Sequence, residues 1–150
     1  MAKRQVPEVF KELIHCLNTS GVKYLLIGGW AVGMYAEPRA TKDIDFLVAI
    51  DDENLKKLHR ALLAFGAPPI DIESFKTVDD IIKYGSSPNR VDFVKLADGI
   101  DINDCFERKE VVDFDGVGVY VISKQDLIKN KRASGRYQDL ADLEELEADA

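Results

Sequence analysis

The apolar positions of this chain alternate between a helical and a strand-like period, and the points where the period changes mark out its elements. From Pro7 to about Asn18, Val6, Phe10, Leu13, Ile14 and Leu17 fall at helical spacing. Pro7 suits a first turn, and Thr19-Ser20-Gly21 supplies the stop. Lys23 to Ile27 holds the short run Tyr-Leu-Leu-Ile and ends at Gly28-Gly29, the pattern of a buried strand. Trp30 to Ala36 predicts a short helix closed before Pro38, and Ile44 to Ile50 a second strand with Asp43 at its head. Asp51-Asp52-Glu53 offers a cap and an acidic first turn to a helix carrying Leu55, Leu58, Leu62 and Leu63, which Gly66 ends.

Ala67 to Asp80 is ambiguous in period, with room for one short helix. Beyond it, Ile81 to Tyr84 and Val91 to Leu96 predict two strands joined by the hairpin-like Gly85-Ser86-Ser87-Pro88-Asn89. A short helix near Asp101 to Arg108 follows, then strands near Val111 to Phe114 and Val117 to Ile122. Ser123 caps a helix through about Ala133, and a last helix runs from Arg136 to Glu147. The alternation gives an α/β (or α+β) domain with a small mixed sheet and flanking helices. No repeat or linker divides residues 1–150, so one domain is expected, closed by an acidic C-terminal helical segment over 136–150.

Charge refines this picture. The 150 residues carry 27 Asp and Glu against 20 Lys and Arg, a net of −7. Six of those acids lie between Asp139 and Ala150 with no base among them, so the rest of the chain is close to neutral. That balance argues against broad electrostatic capture of nucleic acid. One local cationic cluster stands out: Lys124, Lys129, Lys131, Arg132 and Arg136 against the single Asp126. It suits a phosphate-bearing ligand, or else is a solvated helix face. No apolar run approaches the roughly 18–20 residues of a membrane span. The N-terminal Lys3-Arg4 has no apolar stretch behind it, which argues against a secretory leader. Cys16 and Cys105 form no metal or redox spacing; small core residues in a reducing cytoplasm are expected, with a disulfide pair as the alternative.

The chemistry concentrates in Gly28-Gly29-Trp30 through Arg39-Ala40-Thr41-Lys42-Asp43-Ile44-Asp45. Period-two geometry puts the carboxylates of Asp43 and Asp45 on one face, with Ile44, Phe46 and Val48 on the other. Two adjacent carboxylates repel, and a divalent cation relieves that repulsion; oxygen ligands match hard Mg²⁺, or Mn²⁺ in its place. The bland alternative is a strand start and a solvated edge residue. A strand running into Gly-Gly and a helix brings bare backbone N–H groups together, a seat for phosphate, though a tight turn alone explains it equally. It is neither GxGxxG nor a Walker A loop. Asp92 interrupts the apolar strand Val91-Asp92-Phe93-Val94, where a lone charge is costly. If that strand lies beside Asp43 and Asp45, three carboxylates converge, as metal ligands or with Asp92 as a base.

These residues resemble a known family. Gly-Gly, a short helix, Arg-x-Thr-x-Asp-Ile-Asp, and a later hydrophobic–Asp–hydrophobic strand are similar to the nucleotidyltransferase superfamily of the DNA polymerase beta type. The likeness is to its small bacterial members, related to abortive-infection toxin-type and antibiotic-modifying enzymes. Lys131, Gly135-Arg136, Asp139 and Asp142 resemble the ending of those proteins, and the likeness spans about Leu25 to Leu146. It implies a nucleotidyltransferase-like fold and transfer of a nucleoside monophosphate from a nucleoside triphosphate to an acceptor hydroxyl, releasing pyrophosphate. By position, Asp43, Asp45 and Asp92 would be the catalytic and Mg²⁺-binding carboxylates. Gly28 and Gly29 would meet the triphosphate through backbone amides, and Arg39, Thr41 and Lys131 would touch phosphate or pyrophosphate; Arg39 and Lys131 pairing with local acids is the alternative. Trp30 stands where the family commonly has Ser, which removes a hydroxyl contact there, and is expected as a core or interface anchor. The acceptor stays open between an RNA end, a protein hydroxyl and a small molecule. The rival function is a non-catalytic nucleotide-binding protein of the same fold, or one half of a toxin–antitoxin pair with a partner protein.

Overall fold

The computed structural model describes residues 6–36, 43–78, 81–86 and 89–148. In chain order the elements are α1 (Glu8–Thr19), β1 (Tyr24–Ile27), α2 (Gly28–Tyr35), β2 (Ile44–Val48), α3 (Asp52–Phe65), α4 (Ile72–Thr77), β3 (Ile81–Tyr84) and β4 (Val91–Val94). There follow α5 (Ile102–Cys105) with a single 3₁₀ turn (Phe106–Arg108), β5 (Glu110–Phe114), β6 (Val117–Val121), α6 (Lys124–Ser134) and α7 (Tyr137–Ala148). The strands form one mixed six-stranded sheet in the order β3-β4-β2-β1-β6-β5. β1 runs antiparallel to β2 and parallel to β6, and β2 runs parallel to β4. β3 and β5 close the two edges as antiparallel hairpin partners of β4 and β6.

Local chemistry sets most boundaries. The Asp51 side chain accepts from the Asn54 N–H and starts α3, and Gly66, at φ 95°, ends it. Asp71 and Ser123 cap α4 and α6 in the same manner, so the ambiguous stretch after Ala67 does contain one short helix. The core is built on the four residues of β1, all buried, and on Phe46 and Phe93, whose rings stack at 5.5 Å across β2 and β4. α1 turns Phe10, Leu13, Ile14 and Leu17 inward, and Trp30 packs edge-on against Phe10 and Phe114. Trp30 is therefore a core anchor. Asn54, buried, accepts from the Lys23 N–H and donates to the Lys23 and Ala49 carbonyls, tying together the ends of β1 and β2 remote from Gly28. Both cysteines are free, Cys105 buried and Cys16 half-buried.

Four elements depart from the sequence expectation. α2 starts on Gly28 itself and not at Trp30, because Gly28 at φ 71° turns the chain straight from strand into helix. β2 and β4 stop at Val48 and Val94, short of Ile50 and Leu96. The helix expected over Asp101 to Arg108 divides into α5 and its 3₁₀ turn. Among the described residues no helix is long and apolar enough to cross a membrane.

Candidate active site

The site follows from strand register. In the parallel ladder, Asp45 on β2 stands directly opposite Asp92 on β4, and Ile44 opposite Val91. The ladder extends one bond further, the Ile44 N–H donating to the Arg90 carbonyl at 3.0 Å. Side chains two apart share a face, so Asp43 and Asp45 come up on the same side as Arg90 and Asp92. Three carboxylates and one guanidinium thus meet at one end of two neighbouring strands. Arg90 donates from Nε and Nη2 to the two oxygens of Asp92, both at 3.1 Å, while Nη2 also lies 3.2 Å from Asp43 Oδ2. Asp92 is 6% exposed at its side chain, whereas Arg90 is 36% exposed and lies at the rim of the cleft.

Asp45 is the strained member. Burial pushes its carboxyl up to about 6; the Asp92 carboxylate, hydrogen-bonded to it, and Asp43 push the same way, with Arg90 opposing them. Oxygen donors of this kind match a hard divalent cation, and the raised Asp45 marks a place where a further positive charge is stabilising. As the side chains stand, no three acidic, cysteine or histidine groups among the described residues converge on a metal position. Asp43 and Asp92 are each turned toward Arg90 instead.

Gly28 forms the floor beside Asp45. A Cβ at this position would collide with the Asp45 carboxylate, on a backbone already at positive φ. Only glycine fits both demands. The first turn of α2 receives no side-chain cap, so the opening N–H groups of Gly28-Gly29-Trp30 are not taken by a capping side chain. The cleft over this floor has a volume of about 540 Å³; Arg90, Asp98, Asn130 and Ser134 contribute to its walls. A second hollow of about 310 Å³, lined by Lys23, Lys57, Phe106 and Tyr120, lies at the opposite end of β1 and contains none of the three acids.

The far wall comes from α6 and α7, where the basic cluster meets the acidic end of the chain. Lys131 lines the cleft, but it is 7% exposed and its Nζ lies 3.0 Å from Asp139 Oδ1 and 3.1 Å from Asp142 Oδ2. Arg136 donates from Nε to Asp139 Oδ2 at 2.8 Å, and its backbone N–H reaches the same oxygen at 3.2 Å, the return half of a capping box at the start of α7. Burial raises the Asp139 carboxyl, but bonds from Arg136, Ser134 and Lys131 outweigh it and hold the group well below the ordinary carboxylate range. The basic cluster is thus neither wholly a solvated face nor wholly a phosphate seat. Arg132 pairs with Glu147, Lys131 is internal, and Arg136 lines the cleft with its side chain 78% exposed.

Arg39 and Thr41, the two other expected phosphate contacts, lie outside the described residues. Arg136, expected only as a member of the basic cluster, lines the cleft, and Arg90 is a cleft residue that the sequence reading did not select. The signal for Arg90 was present in the spacing Arg90-Val91-Asp92, which puts a base on the same strand face as the acid.

The six-stranded mixed sheet with its flanking helices matches the fold of solved nucleotidyltransferase structures. Of solved structures, the lincomycin-bound lincosamide antibiotic adenylyltransferase LnuA superposes with a TM-score of 0.61 at 15% identity, over 99% of this chain and 100% of that one. An antigenic nucleotidyltransferase-like protein from Paracoccidioides brasiliensis gives 0.55 at 16% identity, over 93% of this chain and 73% of that one. No curated protein matches the sequence significantly. Residues 4–148 match the model of a family described as nucleotidyltransferase of unknown function (DUF6036), and the chain belongs to that family.

Proposed function

We propose that this protein transfers a nucleoside monophosphate from a nucleoside triphosphate to an acceptor hydroxyl, in a reaction dependent on Mg²⁺ or Mn²⁺. The register that puts Asp45 opposite Asp92, with the bare backbone of Gly28 against it, carries the reading. Asp43 and Asp45 would hold the cation and Asp92 would complete the set or accept the hydroxyl proton. When bound, the cation supplies charge stabilisation at the transferring phosphoryl group and its leaving oxygens.

The rest is the work of the chain. Gly28 and Gly29 present backbone N–H groups to the triphosphate at the start of α2. The acceptor oxygen bonds to the α-phosphorus while the bond to the β-phosphate oxygen breaks, and pyrophosphate leaves. Lys131 supports the phosphate contact through Asp139, which it shares with Arg136; Arg39 and Thr41 are further contacts expected from sequence alone. LnuA, named as an antibiotic adenylyltransferase and seen with lincomycin, favours a small-molecule acceptor over a protein or RNA end.

The test is transfer of an α-labelled nucleotide to components of a cell extract by wild type and Asp45→Asn. Label should appear on a product with wild type and be reduced at least about a hundredfold by the substitution. Equal labelling by both would refute the role given to Asp45. Nucleotide binding without transfer by either would favour a non-catalytic protein acting through a partner.

A further inference from the structure

We infer that Arg90 is a built-in counter-ion which holds the carboxylate site closed to metal until a triphosphate draws it away, so that metal and nucleotide bind as a coupled pair. This rests on the proposed function and adds a role for a residue outside the carboxylate and glycine set. The first observation is position: one guanidinium touches Asp43 and both oxygens of Asp92, two of the three donors the cation would need. An ion approaching those oxygens competes with a positive charge already hydrogen-bonded to them.

The second observation is exposure. The Arg90 backbone is fixed, since its carbonyl accepts from the Ile44 N–H in the β2–β4 ladder, yet its side chain is 36% exposed toward the cleft. Turning the side chain into the cleft would leave the ladder intact, since only the backbone of Arg90 takes part in it. Arginine also binds phosphate in the same forked geometry that it uses here for a carboxylate. A polyphosphate over Gly28 offers Arg90 a replacement partner and in the same movement withdraws the guanidinium from Asp43 and Asp92. A swap of this kind couples the two ligands reciprocally, with a factor typically between about 5 and 150.

Binding of Mn²⁺ alone, followed by its electron paramagnetic resonance signal, gives the test, with no turnover involved. Arg90→Gln should bind free Mn²⁺ about tenfold more tightly than wild type. The same variant should bind a non-hydrolysable triphosphate in EDTA more weakly than wild type. If Arg90→Gln does not fold, Arg90→Lys serves: it keeps the charge but loses the fork that reaches both acids, and should give a smaller gain in Mn²⁺ affinity. Unchanged or weaker Mn²⁺ binding by a folded Arg90 variant overturns the inference. Asp45→Asn separates that failure from failure of the proposed function. If it leaves Mn²⁺ affinity at the wild-type level, the carboxylates are not the metal site and both readings fall; if it abolishes binding while Arg90→Gln changes nothing, only the role of Arg90 falls.

Discussion

Two clusters of opposite charge lie within reach of one cleft, and they are balanced in opposite ways. At the α6–α7 corner, Lys131 and Arg136 face Asp139 and Asp142, two bases for two acids. At the ends of β2 and β4, three carboxylates, Asp43, Asp45 and Asp92, crowd one strand face, with Arg90 ion-paired to Asp43 and Asp92. The consequence shows in the carboxyls: Asp139 is held well below the ordinary range and Asp45 is pushed up to about 6. A matched buried network fixes two helices against each other. Carboxylates crowded closely enough to raise one of them are the mark of a functional site.

Breaking the matched cluster should have the largest effect on folding. Lys131→Met leaves Asp139 and Asp142 without their buried ammonium and should cost about 3–5 kcal/mol, read from urea unfolding. Asp45→Asn should do the reverse, abolishing labelled-nucleotide transfer while stabilising the metal-free fold by on the order of 1–2 kcal/mol, because it deletes the charge that the site carries at a cost. If the substitution destabilises the protein, Asp45 is not the over-crowded member of the trio. Gly28→Ala sits between these cases. Its methyl must displace the Asp45 carboxylate on a backbone that disfavours a side chain by about 1–2 kcal/mol, so nucleotide affinity should fall along with stability.

The smallest and most diagnostic effect is in pH. A raised Asp45 binds its proton more tightly in the folded than in the unfolded chain, so in EDTA stability should rise as pH drops from 7 through 6 toward 4. Asp139 has the opposite sign: its stabilisation is complete above the unfolded carboxyl value near 4 and is lost as pH falls below it. Urea midpoints measured from pH 7 to pH 2.5 should therefore pass through a maximum. Asp45→Asn should flatten the neutral limb only and Asp139→Asn the acidic limb only.

Most elements of this fold were legible from periodicity and caps, as Asp51, Asp71, Ser123 and the turn at Gly66 show. Those signals are local, a side chain bonding to its own backbone three residues on. The start of α2 was misplaced by two residues because a glycine at positive φ leaves no mark in hydrophobic spacing. The acids of the site could be picked out one strand at a time, but their convergence required the strand order, with β4 beside β2 and not beside β1. Arg90 escaped for the same reason, as Asp43, one of its partners, lies on the other strand. The basic run on α6 could not be divided into internal and cleft-facing members until α7 was known to fold back over it, bringing Asp139 to Lys131.

The parallel pairing of β2 with β4 also has a temporal meaning. During synthesis Asp43 and Asp45 leave the ribosome with their strand long before Arg90 and Asp92, because α3, α4 and β3 intervene. A fragment ending before β4 exposes β2 as a bare sheet edge and holds two of the three acids, without Arg90, Asp92 or the α6 wall. Assembly of the cleft therefore waits on β4 for its third acid and on α6, made later still, for its other wall.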